Sequence, residues 1–216
     1  MAVKIGENTF FTSDTHFCHN QDFMYKPRGY SSIEEHDEKL VERWNETVGL
    51  HDIVYHLGDF CLNDVQKAIS YIQRLQGTIY WLQGNHDTDN KIKYVIENCP
   101  NVKVFDTNEY SQVCKYNKFN LYCSHYPTLT ANFDDAHFSQ HVINLHGHTH
   151  QMKNWIFADN PFVYHVGIDS HNNAPVNIEE ILTDIRNRWN ELGNLNINPT
   201  GIYHTYPQGE TDRWFR

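Results

Sequence analysis

Apolar and polar positions along the chain fall into two kinds of segment that succeed one another. Short runs rich in β-branched and aromatic residues recur at Thr9–Ser13, Ile53–Leu57, Thr78–Leu82, Val102–Phe105, Phe119–Cys123, Val142–Leu145 and Phe162–Ile168. Each has the length of a strand and ends in Gly, Asn, Asp or Ser, so each predicts a strand closed by a turn. Between them the apolar spacing becomes helical. Ser32 and Glu35 form a capping-box pattern ahead of Ile33, Leu40, Val41, Trp44 and Val48, with Gly49 as the stop. Leu62, Val65, Ile69, Ile72 and Leu75 repeat the spacing as far as Gly77, and a shorter helix is predicted over Lys91–Asn98, ahead of Pro100. Asn177 is placed to cap a last helix carrying Ile178, Ile181, Leu182, Ile185 and Trp189.

The first half thus alternates strand and helix, while the second half is mostly strand, which predicts an α/β protein with central sheets flanked by helices. No low-complexity linker and no repeat of about 20–50 residues divides the chain, so residues 1–216 are expected to form one domain. The tail after Leu192 reads as an irregular segment on the surface.

Composition adds a core and removes several partners. With 39% hydrophobic and 14% aromatic residues the chain has the material for a packed interior, which excludes a disordered protein. A formal charge of −10 argues against long duplex nucleic acid, whose binding relies on clustered Lys and Arg. The five cysteines include no C-x-x-C pair and read as reduced thiols. The first residues lack the basic start and apolar stretch of a secretory leader, and no run approaches the length of a membrane helix. A cytoplasmic location without membrane attachment is expected. The 15 histidines raise the question of a metal site.

Their placement sharpens it. The first predicted strand runs into Ser13-Asp14-Thr15-His16, the second into Leu57-Gly58-Asp59, and the third into Gly84-Asn85-His86-Asp87. Later strands run into Ser124-His125 and into His146-Gly147-His148-Thr149-His150. All lie at C-terminal strand ends, where open α/β sheets place ligands. In D-x-H and H-x-H the two groups share a face while the chain stays extended, whereas Gly147 makes it doubtful that His146 joins His148 and His150. Asp14, His16, Asp59, Asn85, His125, His148 and His150 form an oxygen and nitrogen set that suits Mn²⁺, Fe, Zn²⁺, Co²⁺ or Ni²⁺. Seven groups exceed one tetrahedral ion but suffice for two ions about 3.5–4 Å apart.

D-x-H, G-D, G-N-H-D, a lone His after a strand and G-H-x-H, in that order from Asp14 to His150, resemble the calcineurin-like metallophosphoesterase superfamily. Thr12-Ser-Asp-Thr-His-Phe, Val54-Tyr-His-Leu-Gly-Asp-Phe and Val166-Gly-Ile-Asp169 further resemble its small single-domain bacterial and phage members. The resemblance implies a four-layer α/β/β/α sandwich with a dinuclear metal site at the strand ends. It implies one ion on Asp14, His16, Asp59 and His150 and another on Asp59, Asn85, His125 and His148, with Asp59 as the bridge. His86 would donate a hydrogen bond or proton to the phosphate or leaving oxygen, and Asp87 would orient His86. The activity implied is hydrolysis of phosphate esters by a hydroxide bridging two divalent ions, Mn²⁺ foremost, with a phosphodiester or other small phosphorylated molecule as substrate. No Asp-Arg-Gly follows Gly58-Asp59 as in the protein phosphatases of the superfamily, which argues against a phosphoprotein phosphatase. A small open site without room for a large capping domain favours a diester, so diesterase activity is expected over monoesterase.

Blander readings apply to other residues. His19 and Arg28 follow the first motif closely enough for His19 to reach the site and for Arg28 to bind phosphate or stand in solvent. His56 points away from Asp59 and reads as packed. His51, His137, His141, His165, His171 and His204 read as structural, and Glu34, Glu35, Asp37 and Glu38 as a solvated helix face. A metal-stabilised binding or scaffold protein with decayed activity is the alternative function, and intact His86 and Asp87 speak against it. The H-x-H-x-D-H run of metallo-β-lactamase-like hydrolases is absent.

Overall fold

Strand-length apolar runs need neighbours for their backbone groups, and two five-stranded sheets supply them in the computed structural model, which describes residues 2–105, 110–130 and 137–194. The first sheet contains β2 (Thr9–Thr12), β3 (Ile53–His56), β4 (Thr78–Trp81), β5 (Val102–Val104) and β10 (Val176–Asn177), in the order β10-β2-β3-β4-β5. Only β10 runs antiparallel. The second contains β1 (Val3–Lys4), β6 (Ser111–Tyr116), β7 (Phe119–Ser124), β8 (Val142–His146) and β9 (Val163–His165), in the order β1-β6-β7-β8-β9. There the β6–β7 hairpin is the antiparallel pair. All seven expected runs are strands or contain one. The short β1 and β10 and the largely polar β6 were not among the expected elements.

Period-two alternation assigns each strand two different neighbours. Tyr55 and Phe11 face the second sheet and pack against Leu121, Cys123, Ile143 and Leu145. Val54, Ile79, Trp81 and Val102 face outward onto α2 (Ile33–Thr47), α3 (Val65–Ile72) and α4 (Asp89–Asn98). Helix α5 (Ile178–Asn194) brings Ile178, Ile181, Leu182 and Ile185 into the core between the sheets. The α/β sandwich expected for the metallophosphoesterase type is therefore present as two mixed, mostly parallel sheets with flanking helices. All five cysteines are buried free thiols. No helix among the described residues is long and apolar enough to cross a membrane. The tail beyond Asn194, His204 included, lies outside the described residues.

Helix starts depart from the expected ones for local reasons. Ser32 accepts from the Glu35 amide at 3.1 Å, but the Glu35 carboxylate turns to the Ser31 amide at 2.8 Å, so the reciprocal half of the capping box falls one residue early. The second helix begins at Val65 and not near Leu62, because Asn63 is left-handed (φ 60°) and Asp64 caps the Lys67 amide at 2.9 Å. Thr88 caps α4, and the Asn177 side chain accepts from the Glu179 amide at 2.9 Å as its position predicted. A short α1 (Asp22–Tyr25) lies in the loop after β2.

The charge run on α2 is only partly solvated. Glu34 and Glu38 pair with Lys67 and Arg74 at the surface. Asp37, in contrast, is fully buried and accepts from the Cys18 amide at 2.9 Å and from His36 Nδ1 at 2.8 Å, which corrects its assignment to a solvated face.

Ile143 lies in β8, buried between the two sheets. Truncation by Ile143→Ala is expected to cost about 2–5 kcal/mol in urea unfolding, through lost transfer energy and a residual cavity. A cost below about 1 kcal/mol would show that this position is not closely packed.

Candidate metal centre

The loops leaving the C-terminal ends of β2, β3, β4, β7 and β8 meet where the two sheets approach each other. A parallel bridge joins Ser13 to Gly167, beyond β9, so the edge of one sheet is stitched to the other. The chain after β2 continues beside the chain after β3: Asp14 N–H donates to Gly58 O at 3.0 Å, His16 N–H to Asp59 O at 3.1 Å and Phe17 N–H to Phe60 O at 3.0 Å.

This track is not the extended strand end that the D-x-H and H-x-H spacing suggested. Asp14, His16, Asp59, His148 and His150 all have positive φ, between 48° and 69°. Left-handed backbone costs a residue with a Cβ roughly 1–2 kcal/mol, and Asp, Asn and His tolerate it best among non-glycine residues. The paired residues still meet, with His16 Nε2 at 4.0 Å from Asp14 Oδ1, but they meet through alternating left-handed turns. Two glycines make the close approach possible. A Cβ on Gly84 would stand 2.3 Å from Asp59 Oδ1, and one on Gly147 would stand 2.3 Å from Ser13 Oγ and 2.5 Å from Asp14 Oδ2.

Each buried carboxylate is held on one oxygen and open on the other. Asp14 Oδ2 accepts from the His148 amide at 2.9 Å and from Ser13 Oγ at 2.5 Å, and Asp59 Oδ1 accepts from the His86 amide at 2.8 Å. Asp14 Oδ1 has no hydrogen-bond donor and faces His150 Nε2 at 3.7 Å. Asp59 Oδ2 lies between His16 Nε2 at 3.6 Å and His125 Nε2 at 3.5 Å.

His125 and His150 are each held by an oxygen on Nδ1 and turn Nε2 inward. His125 Nδ1 sits 2.8 Å from the Leu57 carbonyl, which can only accept, so Nδ1 carries a hydrogen. Its Nε2 faces Asp59 and, at 2.8 Å, Asn85 Oδ1, also an acceptor, a contact that calls for a second proton or a cation. His148 Nδ1 approaches the same Asn85 oxygen at 2.9 Å. His150 gives Nδ1–H to Asp169 Oδ2 at 2.9 Å. Both ring nitrogens of His16 are buried without a partner.

Two groups of ligand atoms are close enough for an ion each: Asp14, His16 and His150, and Asp14, Asp59 and His125. Asn85 and His148 adjoin the second. The fit to cations rests on chemistry, since two buried carboxylates converge with several imidazoles, Asp14 Oδ1 has no donor, and buried charge of one sign requires a partner of the other. Burial raises the pKa of Asp14 despite the nearby histidines, and burial, followed by Arg28, pushes that of His16 down.

Other expected residues fall elsewhere. His86 is exposed at the rim, its ring 5.6 Å from that of His16 and 6.5 Å from that of His19. His19 does reach the site, 5.3 Å from His16 between ring centres. His146 is turned away, with Nδ1 at 2.8 Å from Gly147 O, and His56 is buried against Phe60. Two exposed aromatic rings stand at the rim: Tyr126 beside His148 and Phe23 beside His19.

Asp87 does not orient His86. Its carboxylate is buried and accepts from the amides of Asp59 at 2.6 Å, Gly84 at 3.0 Å and Phe60 at 3.4 Å, and from Trp81 Nε1 at 3.1 Å. It ties the β3 and β4 loops together. Arg28 is neither a phosphate ligand nor in solvent: its side chain is 1% exposed and bound to Asp169 and to backbone carbonyls. Asp169 itself had no role assigned from sequence, although Val166-Gly-Ile-Asp169 ends a strand as Leu57-Gly58-Asp59 does.

Comparison with known proteins agrees with this architecture. The family model described as "Calcineurin-like phosphoesterase superfamily domain" matches residues 8–162. An uncharacterised protein of Methanocaldococcus jannaschii is 31% identical over 179 residues, covering 80% of this chain and 88% of the relative. The gene 66 protein of Mycobacterium phage D29 is 27% identical over 199 residues, covering 82% and 97%. A crystal structure of a protein of unknown function from Aquifex aeolicus superposes with a TM-score of 0.58 at 20% identity, covering 80% of this chain and 96% of that one.

Removing the Asp87 carboxylate leaves buried donors on two loops unpaired. Asp87→Ala is expected to lower the unfolding free energy of the metal-free protein by about 3 kcal/mol or more. His86→Ala, at the exposed rim, should change it by less than about 0.5 kcal/mol. Equal losses in denaturant titrations would contradict this division of roles.

Proposed function

Because the chain belongs to the calcineurin-like phosphoesterase superfamily, we propose that it is a metal-dependent phosphohydrolase that cleaves small phosphodiesters in preference to monoesters. The observation that carries the reading is the convergence of Asp14 Oδ1, which has no hydrogen-bond donor, and Asp59 Oδ2 with ring nitrogens of His16, His125 and His150. Asp14, His16, Asp59 and His150 would hold one divalent ion, and Asp59, Asn85, His125 and His148 a second. Mn²⁺ is the expected metal, with Fe, Zn²⁺, Ni²⁺ or Co²⁺ as chemically suitable substitutes. When bound, the ions supply a water acidic enough to ionise near neutral pH and positive charge for the phosphoryl oxygens.

The chain's own contribution is placement. Asp59 Oδ2 stands between His16 Nε2 and His125 Nε2 and would be shared by the two histidine groups, while Oδ1 is taken by the His86 amide. His86 then has its backbone anchored to a ligand and its imidazole free at the rim, where it can donate to a phosphoryl oxygen or to the departing alkoxide. His19, close to both His16 and His86, adds a second imidazole to that side of the opening. A diester has one negative charge and two organic arms, which suits an opening flanked by exposed Phe23 and Tyr126.

Hydrolysis of bis-p-nitrophenyl phosphate is expected with Mn²⁺ and is expected to stop on chelation. His86→Ala should lower kcat by about 10²–10⁴-fold, the contribution of a positioned acid, while two ions remain bound. No turnover of any mono- or diester, 2′,3′-cyclic nucleotides included, across Mn²⁺, Fe²⁺, Zn²⁺, Co²⁺ and Ni²⁺ would overturn the reading.

A further inference from the structure

Arg28 lies 141 residues from Asp169 in sequence and forms a buried ion pair with it, Nε to Oδ1 at 2.8 Å and NH2 to Oδ2 at 3.1 Å. A guanidinium has five N–H donors, and here every one is used. NH2 also donates to Asp14 O at 2.7 Å, while NH1 donates to Thr15 O at 3.2 Å and to His36 Nε2 at 2.9 Å. His36 can accept on Nε2 because its Nδ1 faces the Asp37 carboxylate at 2.8 Å. Asp37 returns to the same loop by accepting from the Cys18 amide at 2.9 Å. The network therefore closes around the segment from Asp14 to Cys18, which carries two candidate metal ligands.

Its other arm reaches a third. Asp169 Oδ2 accepts from His150 Nδ1 at 2.9 Å, which leaves the His150 Nε2 lone pair toward Asp14 Oδ1 at 3.7 Å. Burial alone would raise the Asp169 pKa, but the His150 hydrogen bond and Arg28 outweigh it and hold the carboxyl well below its usual range. His16 and His150 belong to one candidate group only, while Asp14 lies within reach of both and is assigned to the His16 and His150 ion in the dinuclear reading. On the other side, His125 is oriented by the Leu57 carbonyl and His148 approaches Asn85, with no atom of Arg28 or Asp169 among their partners.

We propose that Arg28 and Asp169 are positioning residues for the ion held by Asp14, His16 and His150, and that the ion held by Asn85, His125 and His148 does not depend on them. The inference rests on the dinuclear reading above. It assigns the guanidinium to the construction of one half of the site, where it has no donor left for substrate.

The test is Mn²⁺ binding to the full chain by titration calorimetry, with electron paramagnetic resonance of the loaded protein. Asp169→Asn preserves shape and Arg28→Lys preserves charge but offers a compact ammonium in place of the planar fork. The wild type should bind two ions and give a spin-coupled spectrum. Both variants should keep one ion within about threefold of its wild-type affinity and bind the other about 10–100-fold more weakly, the usual effect of losing an outer partner of a ligand. Their spectra should become those of isolated Mn²⁺. Ile143→Ala, destabilised away from the network, is the control for a merely structural effect and should retain both affinities. If Arg28→Lys does not fold, Asp169→Asn carries the test alone. Two ions at wild-type affinities in the variants, or parallel loss of both, would overturn this inference and leave the dinuclear reading standing. A wild type that binds fewer than two ions would overturn both.

Discussion

Burying Asp14 and Asp59 within a few ångströms of the same histidines is the constraint on which the rest of the site is built. Two carboxylates removed from water repel each other and lose hydration, and neither faces a Lys or Arg on its inward oxygen. The fold meets part of this cost with backbone amides, one from His148 and one from His86, and with the Ser13 hydroxyl. What remains is an inward carboxylate oxygen on Asp14 with no donor, beside Asp59 Oδ2, which cations can satisfy. On this view the formal charge of −10 is no obstacle to a phosphate-bearing substrate. Two divalent ions would reduce it to about −6 and concentrate the positive charge at the strand ends.

Several apparently separate features follow from that constraint. Amides can reach the carboxylates only if the loops approach within contact distance, which requires glycine at 84 and 147. The loops must also aim alternate side chains inward, which they do with left-handed residues of the types that tolerate them. Asp87 supplies the counterweight, gathering the Asp59, Phe60 and Gly84 amides so that the β3 and β4 loops keep their spacing. The rigid parallel strands beneath, packed on Trp81 and Tyr55, give these loops fixed origins.

The sequence made the ligand loops legible because each motif is local: an apolar run, then Asp, Asn or His within a few residues. Strands with apolar runs were legible for the same reason. Ser111–Tyr116 was not, since its outward positions are polar or exposed and its inward ones are Cys114 and Tyr116 alone. Two-residue strands such as Val3–Lys4 leave no periodic trace. Partners far apart in sequence were equally hidden. Nothing near Arg28 announces Asp169, and nothing in the acidic run of α2 separates buried Asp37 from its solvated neighbours. The role expected for Asp87 was wrong in an instructive way, because its partners are main-chain amides that carry no signature in side-chain sequence. Left-handed geometry at Asp14 and His16 likewise replaced the simple alternation that the spacing suggested.

His125 and His150 obtain their tautomers from different sources. The Leu57 carbonyl that fixes His125 belongs to the main chain, so it survives replacement of the Leu57 side chain by any other that the core accepts. Asp169, which fixes His150, is a side chain and can be erased by a single codon change. The two halves of the centre therefore differ in how exposed they are to genetic drift. Over evolutionary time one orientation is inherited with the fold itself, while the other has to be maintained by selection on one residue.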